Sequence, residues 1–140
     1  MTAKELLEQA EIAMGRAYAP YSGFQVGAAL LGRSGTVYLG CNVENAAYGP
    51  SNCAERSALF SAVSQGEREF AAIAIVGGPG GKPEGICPPC GICRQALREF
   101  CEDDFPIHLR DADGEVQTFT LSELLPKSFG SSFLTSAKGD

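Results

Sequence analysis

The sequence predicts an α/β protein with a mixed β-sheet covered by helices. Three observations lead there. Apolar residues recur at helical spacing in some segments and as short β-type runs in others. The two kinds of segment follow the order helix, two strands, helix, strand, helix, two strands, short helix. The helix–strand–helix–strand middle favours parallel pairing, whereas the first two strands favour a hairpin. The 140 residues, 44% hydrophobic and 20% charged, suit one compact domain spanning 1–140 with its own core.

Thr2 and Glu5 have the spacing of a capping box. Leu6, Leu7, Ala10, Ala13, Met14 and Ala17 then share one helical face, and Pro20 and Gly23 are expected to end the helix in a loop. Strands are expected at Gln25–Leu31 and Thr36–Val43, joined by the turn Gly32-Arg33-Ser34-Gly35. A polar, turn-rich loop covers Asn42 to Pro50. Ser51 or Asn52 is expected to cap a second helix that carries Cys53, Ala54, Glu55, Ala58, Leu59, Ala62 and Val63, with Gly66 at its end. Phe70–Val76 reads as a buried strand, and Gly77–Pro89 as a Gly/Pro-rich loop. A third helix is expected over Cys90–Phe100, then strands at Phe105–Arg110 and Glu115–Phe119 around the turn Asp111–Gly114. Thr120 and Glu123 can box a short last helix limited by Pro126, and Phe129 and Phe133 stand out in the Ser/Gly-rich tail.

Composition narrows the function. Lys plus Arg is 11 against 17 for Asp plus Glu, a net charge of −6, which argues against a binder of nucleic-acid backbone. No basic-then-apolar leader opens the chain, and no apolar run approaches the ~20 residues that span a bilayer, so a cytoplasmic protein with reduced thiols is expected. Six cysteines against the single His108 then favour metal binding or thiol chemistry over disulfides, without the usual histidine ligands.

Two helix starts carry thiols: Cys53-Ala54-Glu55 and Pro89-Cys90-Gly91-Ile92-Cys93. Cys90 and Cys93 share a helical face, and a helix N-terminus favours the thiolate. Were both starts to meet, three thiolates would bind Zn²⁺ and leave its fourth position open, the catalytic pattern. Glu55 would then stand beside the attacking water without being a ligand. Cys-x-Glu with a later Pro-Cys-x-x-Cys matches the zinc-deaminase signature, with Cys in place of its His. Two other readings compete. A thiol–disulfide oxidoreductase would use Cys90 and Cys93 but leave Cys53 and Glu55 without a role. A structural zinc module would need a fourth ligand, for which Cys87 is the obvious residue.

Further segments make the likeness specific. Tyr18-Ala-Pro-Tyr-Ser, Phe24-Gln-Val-Gly-Ala-Ala, Gly40-Cys-Asn-Val-Glu-Asn-Ala-Ala-Tyr48, Asn52-Cys-Ala-Glu-Arg-Ser-Ala58, Pro89-Cys-Gly-Ile-Cys-Arg-Gln95 and Leu124-Leu-Pro126 run along nearly the whole chain. With them the chain resembles the small, three-cysteine cytidine deaminases of pyrimidine salvage. The resemblance implies a three-layer cytidine deaminase-like fold, a five-stranded mixed sheet with helices on both faces. It implies a homotetramer with sites at subunit interfaces, and hydrolysis of cytidine and 2′-deoxycytidine to the uridines. It gives Cys53, Cys90 and Cys93 to one Zn²⁺ and makes Glu55 the proton carrier. It sets Asn42 and Glu44 on the ribose 3′-hydroxyl, Phe24 against the pocket, the backbone at Ala54 on the pyrimidine edge, and Phe129 on a neighbouring subunit's base.

Three thiolates on Zn²⁺ leave a formal charge of −1, which should weaken its effect on water. Arg56 and Arg94, each following a ligand motif, are expected to donate hydrogen bonds to the thiolates and draw that charge off. Cys41 and Cys101 read as buried bystanders. The prolines at 88 and 89 hold Cys87 outside the helix, away from the face of Cys90 and Cys93. His108 reads as a surface or interface side chain. The closest rival within the deaminases is a blasticidin-type enzyme, against which the Asn42–Tyr48 loop argues; deoxycytidylate is disfavoured for want of a phosphate cradle.

Overall fold

The structure, a computed structural model, describes residues 1–138. Its elements are α1 (Ala3–Met14), β1 (Phe24–Gly32), β2 (Val37–Cys41), α2 (Ala54–Ser64), β3 (Phe70–Pro79), α3 (Gly91–Arg98), β4 (Pro106–Arg110), β5 (Val116–Thr120), α4 (Leu121–Leu124) and a 3-10 helix over Ser131–Lys138. The sheet order is β2-β1-β3-β4-β5. β3 and β4 pair in parallel and the other neighbours are antiparallel, as the element order suggested.

The middles of β1 and β3 are buried on both faces, and the two faces of the sheet differ in bulk. Toward α2 and α3 the sheet presents Leu30, Ile73, Ile75, Ile107 and Leu109. Toward α1 it presents Ala29, Ala72, Ala74 and Val76, which meet Leu6, Leu7, Ala10 and Met14. Small residues let α1 lie close. At Gly27 a β-carbon would fall 2.0 Å from the Ala10 carbonyl oxygen, so only hydrogen fits. Gly40 does the same on the other face, where a β-carbon would be 2.4 Å from the Ala54 carbonyl oxygen.

Several boundaries move. α1 stops at Met14 rather than running to Ala17, because the backbone of Tyr18 turns to pair with Asn42 and Glu44. β2 ends at Cys41, since Val43 leaves the sheet to pair with Asn52. Neither Ser51 nor Asn52 caps α2: the N-cap is Cys53. β3 runs on to Pro79, three residues past the expected end, pairing there with the start of β1.

Strand direction decides where a site can form. β2, β3 and β4 point the same way, because β1 is antiparallel to both β2 and β3. The register that sets Phe24 opposite Pro79 and Gly27 opposite Cys41 puts the start of β1 at the same end as the finishes of β2 and β3. The chain leaves β2 toward α2 and leaves β3 toward α3. Both helices therefore begin beyond the carboxyl ends of their strands, where open α/β sheets form their clefts.

Candidate metal centre and cavity

A cavity of about 580 Å³ occupies that end of the sheet. Phe24 and Val26 come from β1, Asn42 and Glu44 from the segment after β2, Cys53, Ala54, Glu55 and Arg56 from the start of α2, and Cys87, Cys90 and Ile92 from the approach to α3 and its first turn. The sulfurs of Cys53, Cys90 and Cys93 all lie within 4.8 Å of one another. Cys53 Sγ is 3.8 Å from Cys90 Sγ, which is 3.5 Å from Cys93 Sγ. Cys53 and Cys90 are the N-caps of α2 and α3, and neither side chain caps a backbone N–H of its helix. The sulfurs turn instead toward one point between the two helix starts, where both macrodipoles favour negative charge.

The electrostatics fit a thiolate site. Arg56 Nη2 donates to Cys53 Sγ at 3.4 Å. The Cys53 thiol is pulled down to about 5, first by the hydrogen bond of the Cys93 thiol, with Arg56 adding to it against the cost of burial. Cys93 is pushed up, because it gives that hydrogen bond and is buried near Glu55. The same two sulfurs hold the Arg56 guanidinium firmly protonated. Its Nε is buried without a hydrogen-bond partner among the described residues. Three soft donors at this spacing suit Zn²⁺. Among the described residues Cys87 lies outside the cluster, although it lines the cavity. Burial pushes its thiol up to about 11. A closed, four-cysteine structural site is therefore not built here.

Glu55 is the one buried acidic or basic side chain among the described residues, 5% exposed. Burial raises its carboxyl to about 7, and the Cys53 charge adds to the effect. A carboxyl poised near neutrality beside a three-thiol site has the property a proton carrier needs.

Asn42 and Glu44 are fixed by bonds that sequence reading missed. Asn42 Oδ1 accepts from Val26 N at 2.8 Å and its Nδ2 donates to Phe24 O at 2.9 Å, so its amide continues the β1–β2 ladder one residue past β2. Glu44 accepts from the backbone N–H groups of Tyr21 (3.0 Å) and Ser22 (3.1 Å) and from the Ser22 hydroxyl. These bonds, led by the Ser22 hydroxyl, lower the Glu44 pKa. Ser22 was thus legible only as part of the Tyr18–Ser22 motif, without a role. Tyr48 also lines the cavity while standing 87% exposed.

Arg94 does not reach a thiolate. Its Nε donates to Pro89 O at 2.7 Å and its Nη1 to Leu124 O at 2.6 Å, because its position on α3 directs it along the helix start rather than into the cluster. It ties the Cys90 loop to α4. Phe129 does not line the cavity of its own chain. It stacks on Phe133, with ring centroids 5.2 Å apart. Cys41 and Cys101 lie away from the cluster. His108 is half-buried on β4 and bonds Thr118.

An open three-thiolate site with a buried carboxyl beside it, at the carboxyl end of a mixed sheet, defines a zinc-dependent hydrolytic enzyme. Residues 1–109 match the model of the cytidine and deoxycytidylate deaminase zinc-binding region. The chain is 45% identical over 137 residues to a cytidine deaminase of Sporosarcina psychrophila, covering 98% of both chains. It is 49% identical over 129 residues to one of Halalkalibacterium halodurans, covering 92% of this chain and 95% of that one. Among solved structures, the cytidine deaminase of Burkholderia pseudomallei superposes with a TM-score of 0.84 at 48% identity, over 92% of this chain and 100% of that one. The chain belongs to the cytidine and deoxycytidylate deaminase family, and it has that family's three-layer fold and one Zn²⁺ site per chain.

Proposed function

We propose that the chain deaminates cytidine and 2′-deoxycytidine to uridine and 2′-deoxyuridine in pyrimidine salvage, with residues 1–140 forming one catalytic domain. The observation that supports this most is the juxtaposition of the Cys53–Cys90–Cys93 cluster with the buried Glu55. Two cytidine deaminases with near full-length matches support the nucleoside. The acidic balance of the chain and the Glu44 carboxylate in the cavity favour an uncharged ligand over a phosphorylated one.

Water adds to C4 of the pyrimidine and ammonia leaves, so the reaction is balanced by one water consumed. Bound Zn²⁺ supplies Lewis acidity that makes water a nucleophile at neutral pH. Cys53, Cys90 and Cys93 hold the ion. Glu55 accepts one proton of the attacking water and delivers it to N3, then carries the remaining proton, from the hydroxyl on C4 as it becomes the carbonyl, to the departing amine. Phe24 packs against the nucleoside, the backbone at Ala54 holds the pyrimidine edge, and Asn42 and Glu44 receive the ribose 3′-hydroxyl. Ser22 and the Tyr21 and Ser22 amides orient Glu44 for that task. Arg56 draws charge from the sulfurs. Phe129 reaches the base in a neighbouring subunit of a homotetramer, whose sites lie at interfaces. The protein works in the cytoplasm on small nucleosides, not on nucleic acid or at a membrane; no described helix is long and apolar enough to cross one.

The test is one assay of purified protein with cytidine and with deoxycytidine, followed by ultraviolet absorbance and ammonia release. Wild type releases ammonia. Glu55→Ala keeps its zinc and loses turnover by about 10²–10⁴-fold. Arg56→Ala loses zinc affinity or turnover. No ammonia from either nucleoside overturns the function, and an active Glu55→Ala overturns the mechanism.

A further inference from the structure

One helix serves two ends of the molecule. α3 supplies Cys90 and Cys93 at its start, and its exposed side grips the tail. Gln95 Nε2 donates to Phe129 O at 2.8 Å, and Arg98 Nε donates to Ser128 Oγ at 2.9 Å. Arg98 is itself fixed from two further sides, by Cys101 O at 3.2 Å and the Asp103 carboxylate at 3.5 Å, and its side chain is only 22% exposed. The grip follows directly on a strained residue. Lys127 has φ 52, the left-handed region that a side chain with a β-carbon resists. Beyond the grip, Phe129 and Phe133 stack with planes 15° apart, yet stand 56% and 66% exposed.

Two polar side chains and a strained residue thus hold an aromatic pair in water. Ordering such a pair costs conformational entropy and leaves apolar surface wet, which a folded chain tolerates where something covers it. The pair does not cover its own cavity, whose rim is open and carries the exposed Ile92 and Tyr48.

We propose that Gln95 and Arg98 are positioning residues that clamp the tail, so that a second copy of this chain receives the Phe129 ring already ordered at the mouth of its cavity. The proposal rests on the reading that Phe129 meets a neighbouring subunit's base. The clamp acts through Phe129 and touches neither substrate nor metal. It lowers the entropy lost when the ring stacks, and therefore acts on KM.

The experiment is steady-state kinetics on cytidine with the zinc-loaded enzyme, with zinc content and melting temperature measured beside it. Phe129→Ala raises KM about tenfold, the size of a lost stacking contact. Arg98→Met keeps the stem, removes the donors and raises KM about threefold with kcat and zinc content held. Ser128→Ala, an exchange at the tail itself, moves KM in the same direction and serves if Arg98→Met folds poorly. Arg98→Lys recovers part of the loss. In the Phe129→Ala background Arg98→Met changes nothing more. An unchanged KM in both Arg98→Met and Ser128→Ala, with Phe129→Ala raised, overturns the clamp and leaves the reading of Phe129 intact. An unchanged KM in Phe129→Ala overturns both. A further loss from Arg98→Met in the Phe129→Ala background shows a role within α3 instead and overturns the clamp.

Discussion

The helices that begin at the cavity start differently from those that begin elsewhere. α1 and α4 open with reciprocal boxes. Thr2 accepts from Glu5 N at 3.1 Å while Glu5 accepts from Thr2 N at 2.7 Å, and Thr120 and Glu123 repeat the pattern. α2 and α3 open on Cys53 and Cys90, whose side chains leave the helix uncapped. A missing cap costs about 1 kcal/mol. The chain uses ordinary capping chemistry where a helix has only to be stable and departs from it at the two starts that meet. Departures from local rules concentrate where a site is built. Here the departure is mutual, since each uncapped start supplies a ligand to the same cluster.

The largest test of this contrast is Cys53→Ser. Serine is a good N-cap but a poor partner for Zn²⁺ beside two thiolates. The variant should lose both zinc and turnover of cytidine. Stripped of metal, it should be more stable than the stripped wild type by about 1 kcal/mol. Metal analysis and paired melting curves with and without chelator check both halves. A serine variant that retained zinc and turnover, or lost apo stability, would break the contrast.

The same contrast explains what the sequence disclosed. The ligand set was legible because Cys-x-Glu and Cys-x-x-Cys sit at helix starts, and the helix starts were legible from apolar period and prolines. The parallel β3–β4 pair followed from the intervening helix. Position within the turn was harder. Ser51 and Asn52 have better capping side chains than Cys53, yet Asn52 is committed to backbone pairing with Val43, and the helix begins one residue later. Arg94 departs from expectation for a related reason: adjacency to Cys93 in sequence says nothing about which way the guanidinium leaves the helix. Its partners, Pro89 O and Leu124 O, are backbone groups 5 and 30 residues away, and a long-range carbonyl has no sequence signature. The Ser22–Glu44 bond was hidden in the same way, across 22 residues.

A second test uses the two close contacts on opposite faces of the sheet. A β-carbon at Gly27 collides with α1 at Ala10 and Met14, and one at Gly40 collides with α2 at Ala54 and Ala58. Gly27→Ala and Gly40→Ala should each destabilise the fold by about 1–3 kcal/mol, since backbone must shift to admit the methyl group. Only Gly40→Ala should also weaken zinc binding, because the shifted turn carries Cys53 and Glu55. Zinc competition with a chromophoric chelator, run on both variants at a temperature where both remain folded, separates them. Equal zinc affinities would mean that the start of α2 is positioned by something other than its seat on β2.

The smallest effect belongs to the capped side. Thr2→Ala removes the acceptor for Glu5 N and leaves Glu5 reaching back alone, a loss of about 1 kcal/mol in stability. Hydrogen bonding to Thr2, backbone first and hydroxyl second, lowers the Glu5 pKa; the backbone bond survives the substitution, so only the hydroxyl's share of the deficit belongs to the ionised carboxylate. A group held below its ordinary pKa stabilises above that value and ceases to as acid protonates it. The deficit of Thr2→Ala should therefore be full at pH 7 and shrink slightly as pH falls through the carboxylate range, the lost bond of Glu5 N to the hydroxyl remaining as a pH-independent part. Turnover of cytidine should not change, because α1 packs on the face of the sheet opposite α2 and α3. Melting curves at several pH values, beside one activity measurement at pH 7, check both statements. A loss of activity at unchanged zinc content would show that the small-residue α1 face transmits strain through the sheet to the cavity, and that the two sides of the molecule are less separate than their helix starts suggest.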